Sequence, residues 1–180
     1  DENVTINGIK NLSGEEDFNQ VFFDDVFISD DRVVGHPGNG WEQVISELGY
    51  ERSGPERFLS AFRVLVEYSK ELAEGATDDH YSVLGRLTAH LITLRRMSIS
   101  VAGMLESGET PITEAALIKD VGNAYERLVP EVIRLSQARN PSARFLETLN
   151  QCVLHAPSFT LRGGTREILK GVIARGLGLR

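Results

Sequence analysis

From Trp41 to the end of the chain, apolar residues recur at helical spacing, and that periodicity limits the fold more than any other feature. Val44, Ile45 and Leu48 share one face, and after a Gly54-Pro55 break the pattern resumes at Phe58, Leu59, Phe62, Leu65, Val66 and Leu72. Leu84, Leu87, Leu91, Leu94, Val101 and Leu105 predict a helix from about Tyr81 to Ser107, ending at Gly108. Thr110-Pro111 predicts the next start, with the threonine as cap and the proline in the first helical position. That helix carries a stripe of Leu117, Val121, Ala124, Leu128, Val132 and Leu135, and Pro130 predicts a bend in it. Two shorter helices follow, Ala143 to about His155 and Thr165 to about Arg175. Long stripes joined by short loops predict a mainly α fold, an antiparallel four-helix bundle preceded by a short β segment.

The first 38 residues read differently. Val4-Thr5-Ile6 and the run from Phe18 to Ile28 are β-branched and aromatic, and turn signals separate them. A set of strands this short cannot bury its faces alone and needs something to pack on. The formal net charge of −7 argues against nucleic acid as partner, since phosphate binding needs a basic surface. No apolar run approaches the roughly 20 residues that span a bilayer. Cys152 is the single cysteine, expected as a small apolar residue, and the four histidines lack the i, i+4 spacing of a metal site. The sequence starts at Asp1 and reads as a fragment of a longer protein.

Three ordered patches resemble the acyl-CoA dehydrogenase family. The first is Phe18-Asn19-Gln20-Val21-Phe22-Phe23-Asp24-Asp25-Val26, with Val34-Gly35 and Gly38-Asn39-Gly40-Trp41 after it. The second is Leu48-Gly49-Tyr50-Glu51-Arg52. The third is Leu161-Arg162-Gly163-Gly164-Thr165-Arg166-Glu167-Ile168, followed by Val172 to Leu179, which is similar to the family's usual end. The resemblance implies that residues 1–38 are the tail and linker of a middle β-domain and that 39–180 form the carboxy-terminal helical domain. It also implies FAD as cofactor, acyl-CoA as substrate, a homodimer or homotetramer, and electron-transfer flavoprotein as acceptor. The compartment implied is the bacterial cytoplasm or the mitochondrial matrix.

The family reaction removes a proton α to a thioester and passes a hydride from the β-carbon to FAD. A carboxylate is the base suited to that step, once positioned against the α-carbon. Many members carry the glutamate directly before the second glycine of the last motif, which is Gly163 here and cannot act. Isovaleryl-type and some long-chain members place it on the first long helix, where Glu51 falls. The resemblance therefore makes Glu51 the catalytic base, Arg52 and Gly164 substrate contacts, and Thr165 and Glu167 flavin contacts. Read without it, Glu51 is a solvated helix glutamate and Thr165 an ordinary N-cap.

Two flavin segments of the family are altered. The arginine-bearing stretch before the second bundle helix reads Ala76-Thr77-Asp78-Asp79-His80-Tyr81, and the glycine-rich stretch after the third reads Ser136-Gln137-Ala138-Arg139-Asn140-Pro141. A weaker grip on the adenine half of FAD follows from these departures. Three readings compete: an acyl-CoA dehydrogenase, an oxidase or monooxygenase on the same fold, and a non-catalytic helical oligomerisation module that has lost FAD.

Overall fold

The computed structural model describes residues 2–72, 75–137 and 140–179. The chain divides into two compact units, Asp1–Ile45 and Ser46–Arg180. In the first, strands β1 (Val4–Ile9) and β2 (Phe18–Phe23) pair antiparallel, with Val4 opposite Phe23 and Ile9 opposite Phe18. The Asn11 side chain organises the connection, accepting from the Ser13 amide at 2.8 Å and the Glu15 amide at 3.2 Å. The second strand stops at Phe23, short of the run to Ile28 that composition suggests. Asp25 takes a left-handed φ of 53°, which turns the chain out of the ladder.

Helix α1 (Gly40–Ser53) ends at the Gly54-Pro55 break. A 3-10 turn (Pro55–Arg57) follows before α2 (Phe62–Glu71), so proline interrupts the pattern by a full connecting segment. Helices α3 (Asp78–Glu106), α4 (Ile112–Leu135) and α5 (Ala143–His155) come next, then a 3-10 turn (Ser158–Thr160) and α6 (Arg166–Gly176). Pro111 is the N-cap of α4, one position earlier than the first helical position expected from sequence. Pro130 lies inside α4, which continues through it to Leu135. Ser142 caps α5, accepting from the Phe145 amide at 3.2 Å, and itself bonds the Glu71 carboxylate at the end of α2.

Helix α4 packs against α2, α3, α5 and α6 and forms the centre of the second unit. Its buried face differs from the aliphatic stripe expected from sequence. Leu117, Leu128 and Leu135 are 40%, 44% and 71% exposed. The buried face instead runs through Ala115, Ile118, Gly122, Tyr125, Val129 and Ile133, and it carries Lys119, Asn123 and Glu126 with it. Aliphatic periodicity alone selects the neighbouring face, because three polar residues on a buried stripe look like a solvated side. They are tolerated inside because each finds partners within the fold. Around them, Tyr68, Phe58, Leu65, Leu94 and Phe145 fill the core, with the Tyr68 and Phe145 rings 6.3 Å apart. Among the described residues, no helix is long and apolar enough to cross a membrane.

Candidate functional site

The last turn of α1 and the loop before α6 meet. Arg52 donates from Nε to the Gly163 carbonyl at 2.8 Å, joining residues 111 positions apart. Gly163 and Gly164 have φ of 67° and 108°, conformations that glycine adopts without a Cβ penalty. A Cβ built on Gly163 would stand 3.1 Å from Glu51 Oε1, and one on Gly164 3.5 Å from an Arg52 terminal nitrogen. Glu51, Arg52, Gly163 and Gly164 are thus neighbours, although sequence places the two pairs on opposite ends of the domain.

Arg57 holds Glu51 in place. Its guanidinium pairs with the Glu51 carboxylate, and its Nε donates to the Glu51 carbonyl at 3.1 Å. The Glu51 side chain remains about one-third exposed, while that of Arg57 is buried. A carboxylate fixed from behind by a guanidinium and open on its other side is oriented toward whatever binds there. Arg52 is 7% exposed, and among the described residues no carboxylate lies within ion-pair distance of it. Burial pulls its guanidinium below the usual arginine value, and the charge of Glu51 opposes that pull.

Beneath this junction lies a buried polar network that sequence reasoning missed. Lys119 is fully buried, donating to Asn123 Oδ1 and to the Phe159 carbonyl at 3.1 Å. Its amine is pushed down to about 8, chiefly by burial, with Arg162 and Arg57 adding to the effect and Glu126 and Glu51 opposing it. Glu126, also fully buried, accepts from the Ser60 amide at 2.9 Å and from Arg162 at 3.1 Å. The Arg162 guanidinium sits 5.2 Å above the Phe159 ring. Among the described residues, Asn123 Nδ2 and Arg162 Nε are buried without a hydrogen-bond partner. The available signal was the phase of α4: Lys119, Gly122 and Glu126 share the face of Ala115, Val129 and Ile133.

Thr165 is the N-cap residue of α6 but gives its side chain to no first-turn amide. The carboxyl of Glu167 is held below its usual value by the backbone amide at that position and then by the Thr165 side chain. The Ala76–Tyr81 segment spends its polar groups on starting α3, where the Thr77 amide donates to His80 Nδ1 at 3.0 Å and Asp78 and Asp79 occupy the first turn. In the second altered segment, Ala138 and Arg139 lie outside the described residues. A separate cavity of about 500 Å³ opens between α4 and α5, lined by Leu128, Val153, Ala156 and Pro157, with Arg127 and Arg166 also in its wall. It does not include Glu51.

No protein-family model matches the chain. A curated relative, acyl-CoA dehydrogenase IpdE1 of Mycobacterium tuberculosis, is 30% identical over 191 residues, covering 98% of this chain and 48% of its own length. The chain therefore spans about half the length of that relative. Among solved structures, a variant of the steroid acyl-CoA dehydrogenase Tcur3481-Tcur3483 matches with a TM-score of 0.84 at 19% identity, over 99% of this chain and 50% of that one. PigA, solved with FAD and proline, matches with a TM-score of 0.84 at 17% identity, over 99% of this chain and 49% of that one. The structural matches show the fold, a helical domain with a short amino-terminal hairpin. Taken with the curated sequence match, they show strong similarity to the acyl-CoA dehydrogenase family over its carboxy-terminal helical region.

Proposed function

We propose that the chain is part of a flavin-dependent acyl-CoA dehydrogenase in which Glu51 takes the α-proton of an acyl-CoA thioester. One observation carries the reading: the Glu51 carboxylate stands beside the backbone of Gly163, where a side chain at that position would begin. The family's two locations for the catalytic glutamate are thus adjacent in space in this chain. The base at 51 reaches the region that a glutamate at 163 would serve.

Arg57 orients the carboxylate, leaving its other side about one-third exposed. Arg52 secures the Gly163–Gly164 turn and, with Gly164, borders the substrate. Glycine at both positions lets a thioester approach the backbone closely. Proton abstraction converts the Glu51 carboxylate to the acid, and the α-carbon electron pair forms the new double bond as hydride leaves the β-carbon. FAD supplies the hydride acceptor when bound.

The residues at the start of α6 suit part of that cofactor. Thr165 offers a hydroxyl unused in capping, and Glu167 an exposed acceptor, a pair matched to the ring edge and hydroxylated chain of a flavin rather than to its pyrophosphate. The acidic first turn of α3 offers the pyrophosphate no cation, which supports a weaker hold on the adenine half. By the same reading, residues 1–38 are the tail of the middle β-domain, the assembly is a homodimer or homotetramer, and electron-transfer flavoprotein accepts the electrons.

The test uses the full-length protein. Glu51→Gln should retain the yellow flavin but lose anaerobic bleaching by acyl-CoA, while the wild type bleaches. Bleaching at the wild-type rate in the variant would remove Glu51 from the chemistry.

A further inference from the structure

We propose that Glu126 is a positioning residue of this site, coupling its two halves through one buried carboxylate. The inference rests on the reading of Glu51 as the base. The halves come from distant sequence: residues 51–60 at the end of α1 and its following turn, and residues 159–164 before α6. Helix α4 lies under both. Glu126 Oε1 takes the Ser60 amide at 2.9 Å, and Oε2 takes Arg162 at 3.1 Å. The same terminal nitrogen of Arg162 donates to Ser60 Oγ at 2.9 Å, closing a three-residue ring. Ser60 follows Arg57, which grips Glu51, and Arg162 precedes Gly163, which Arg52 grips. Side-chain contacts and short stretches of backbone (51–52, 57–60 and 162–163) therefore close a circuit through Glu51, Arg57, Ser60, Glu126, Arg162, Gly163 and Arg52.

The rest of the α4 face acts in the same sense. A Cβ on Gly122 would lie 2.5 Å from the Arg57 carbonyl, so this glycine lets the first half seat directly on the helix. Lys119 reaches the Phe159 carbonyl at 3.1 Å and holds the second half. A buried ion pair adds little stability over apolar residues of the same volume, whereas it fixes direction strictly. Only a carboxylate serves both halves, because both partners are donors. Glutamine has one acceptor oxygen and presents its amide hydrogens to the other donor, so it can hold one half but not both.

Glu126→Gln is therefore the diagnostic variant, with Glu126→Asp as the conservative partner that keeps two acceptors. In the full-length flavoprotein, flavin reduction at saturating acyl-CoA should slow on the order of 10-fold to 100-fold in Glu126→Gln, as expected when a base is misplaced by a fraction of an ångström. Binding of a non-oxidisable S-alkyl-CoA thioether, measured by calorimetry, should change by less than about threefold, since neither half is lost. Amide hydrogen exchange should quicken by about 10-fold or more in residues 57–61, 158–164 or both. Glu126→Asp should recover part of the rate. An unchanged reduction rate per bound flavin, accompanied only by a lower melting temperature, would reduce Glu126 to a structural role and overturn the proposal. If acyl-CoA fails to bleach even the wild type, the dehydrogenase reading falls on its own. Exchange then decides the coupling: quickening supports it, and unaltered exchange in both segments refutes it.

Discussion

Lys119→Met isolates the cost of a buried charge in the centre of α4. The lysine is fully buried and its amine is lowered from 10.5 to about 8. Between those values the unfolded chain keeps a proton that the folded chain has released. Stability must then rise with pH through that window, because the unfolded state binds more protons. A downward shift of that size makes the gain between pH 7 and pH 10 on the order of 2–3 kcal/mol. Methionine has a similar length and no charge, so the variant lacks this term while sharing every other titrating group. Tyr125, the other strongly shifted group on this helix, is pushed up to about 12 by burial, and its contribution is common to both chains and cancels. Urea unfolding followed by helical circular dichroism at pH 7 and pH 10, on both chains, gives the required double difference. The wild type should gain roughly 2–3 kcal/mol on the variant from pH 7 to pH 10, whatever the offset at pH 7. A double difference below about 0.5 kcal/mol, or one of opposite sign, would refute the claim that Lys119 is charged at the expense of the fold.

Gly122→Ala places a methyl against the Arg57 carbonyl, a backbone atom that cannot swing aside. The expected loss is about 1–3 kcal/mol, read as a thermal melt lowered by about 2 to 12 °C. The Cys152 thiol is buried and pushed up to about 12, first by burial and then by Glu126. Iodoacetamide at pH 8 should leave it intact in the native chain and label it in urea, as mass spectrometry would show; native labelling at the denatured rate would contradict the burial.

How far the sequence disclosed this fold depended on the range of the interactions involved. Helices α3 and α5 follow from local signals: α3 spans Asp78–Glu106 where Leu87, Leu94 and Val101 predict Tyr81 to Ser107, and α5 spans the expected Ala143–His155. The Gly54-Pro55 break is likewise local and visible. The face of α4 was misread because hydrophobic spacing cannot know that Glu126 will meet Arg162, 36 residues on, or that Lys119 will meet Phe159, 40 residues on. Without those partners both residues belong on a wet surface. Glu51 and Arg52 were singled out by resemblance, and nothing in their own neighbourhood marks them. Arg57 escaped notice although it lies only six residues from Glu51, because the turn at Pro55 reverses the chain and brings its guanidinium back.

The closeness of Glu51 to Gly163 has an evolutionary reading. An acidic side chain at 163 would meet the Glu51 carboxylate at contact distance, and two like charges there repel and crowd. One acid can be housed at either address, but not two at once. Across relatives, the two columns should then behave as a toggle, an acid in one accompanied by a small or neutral residue in the other.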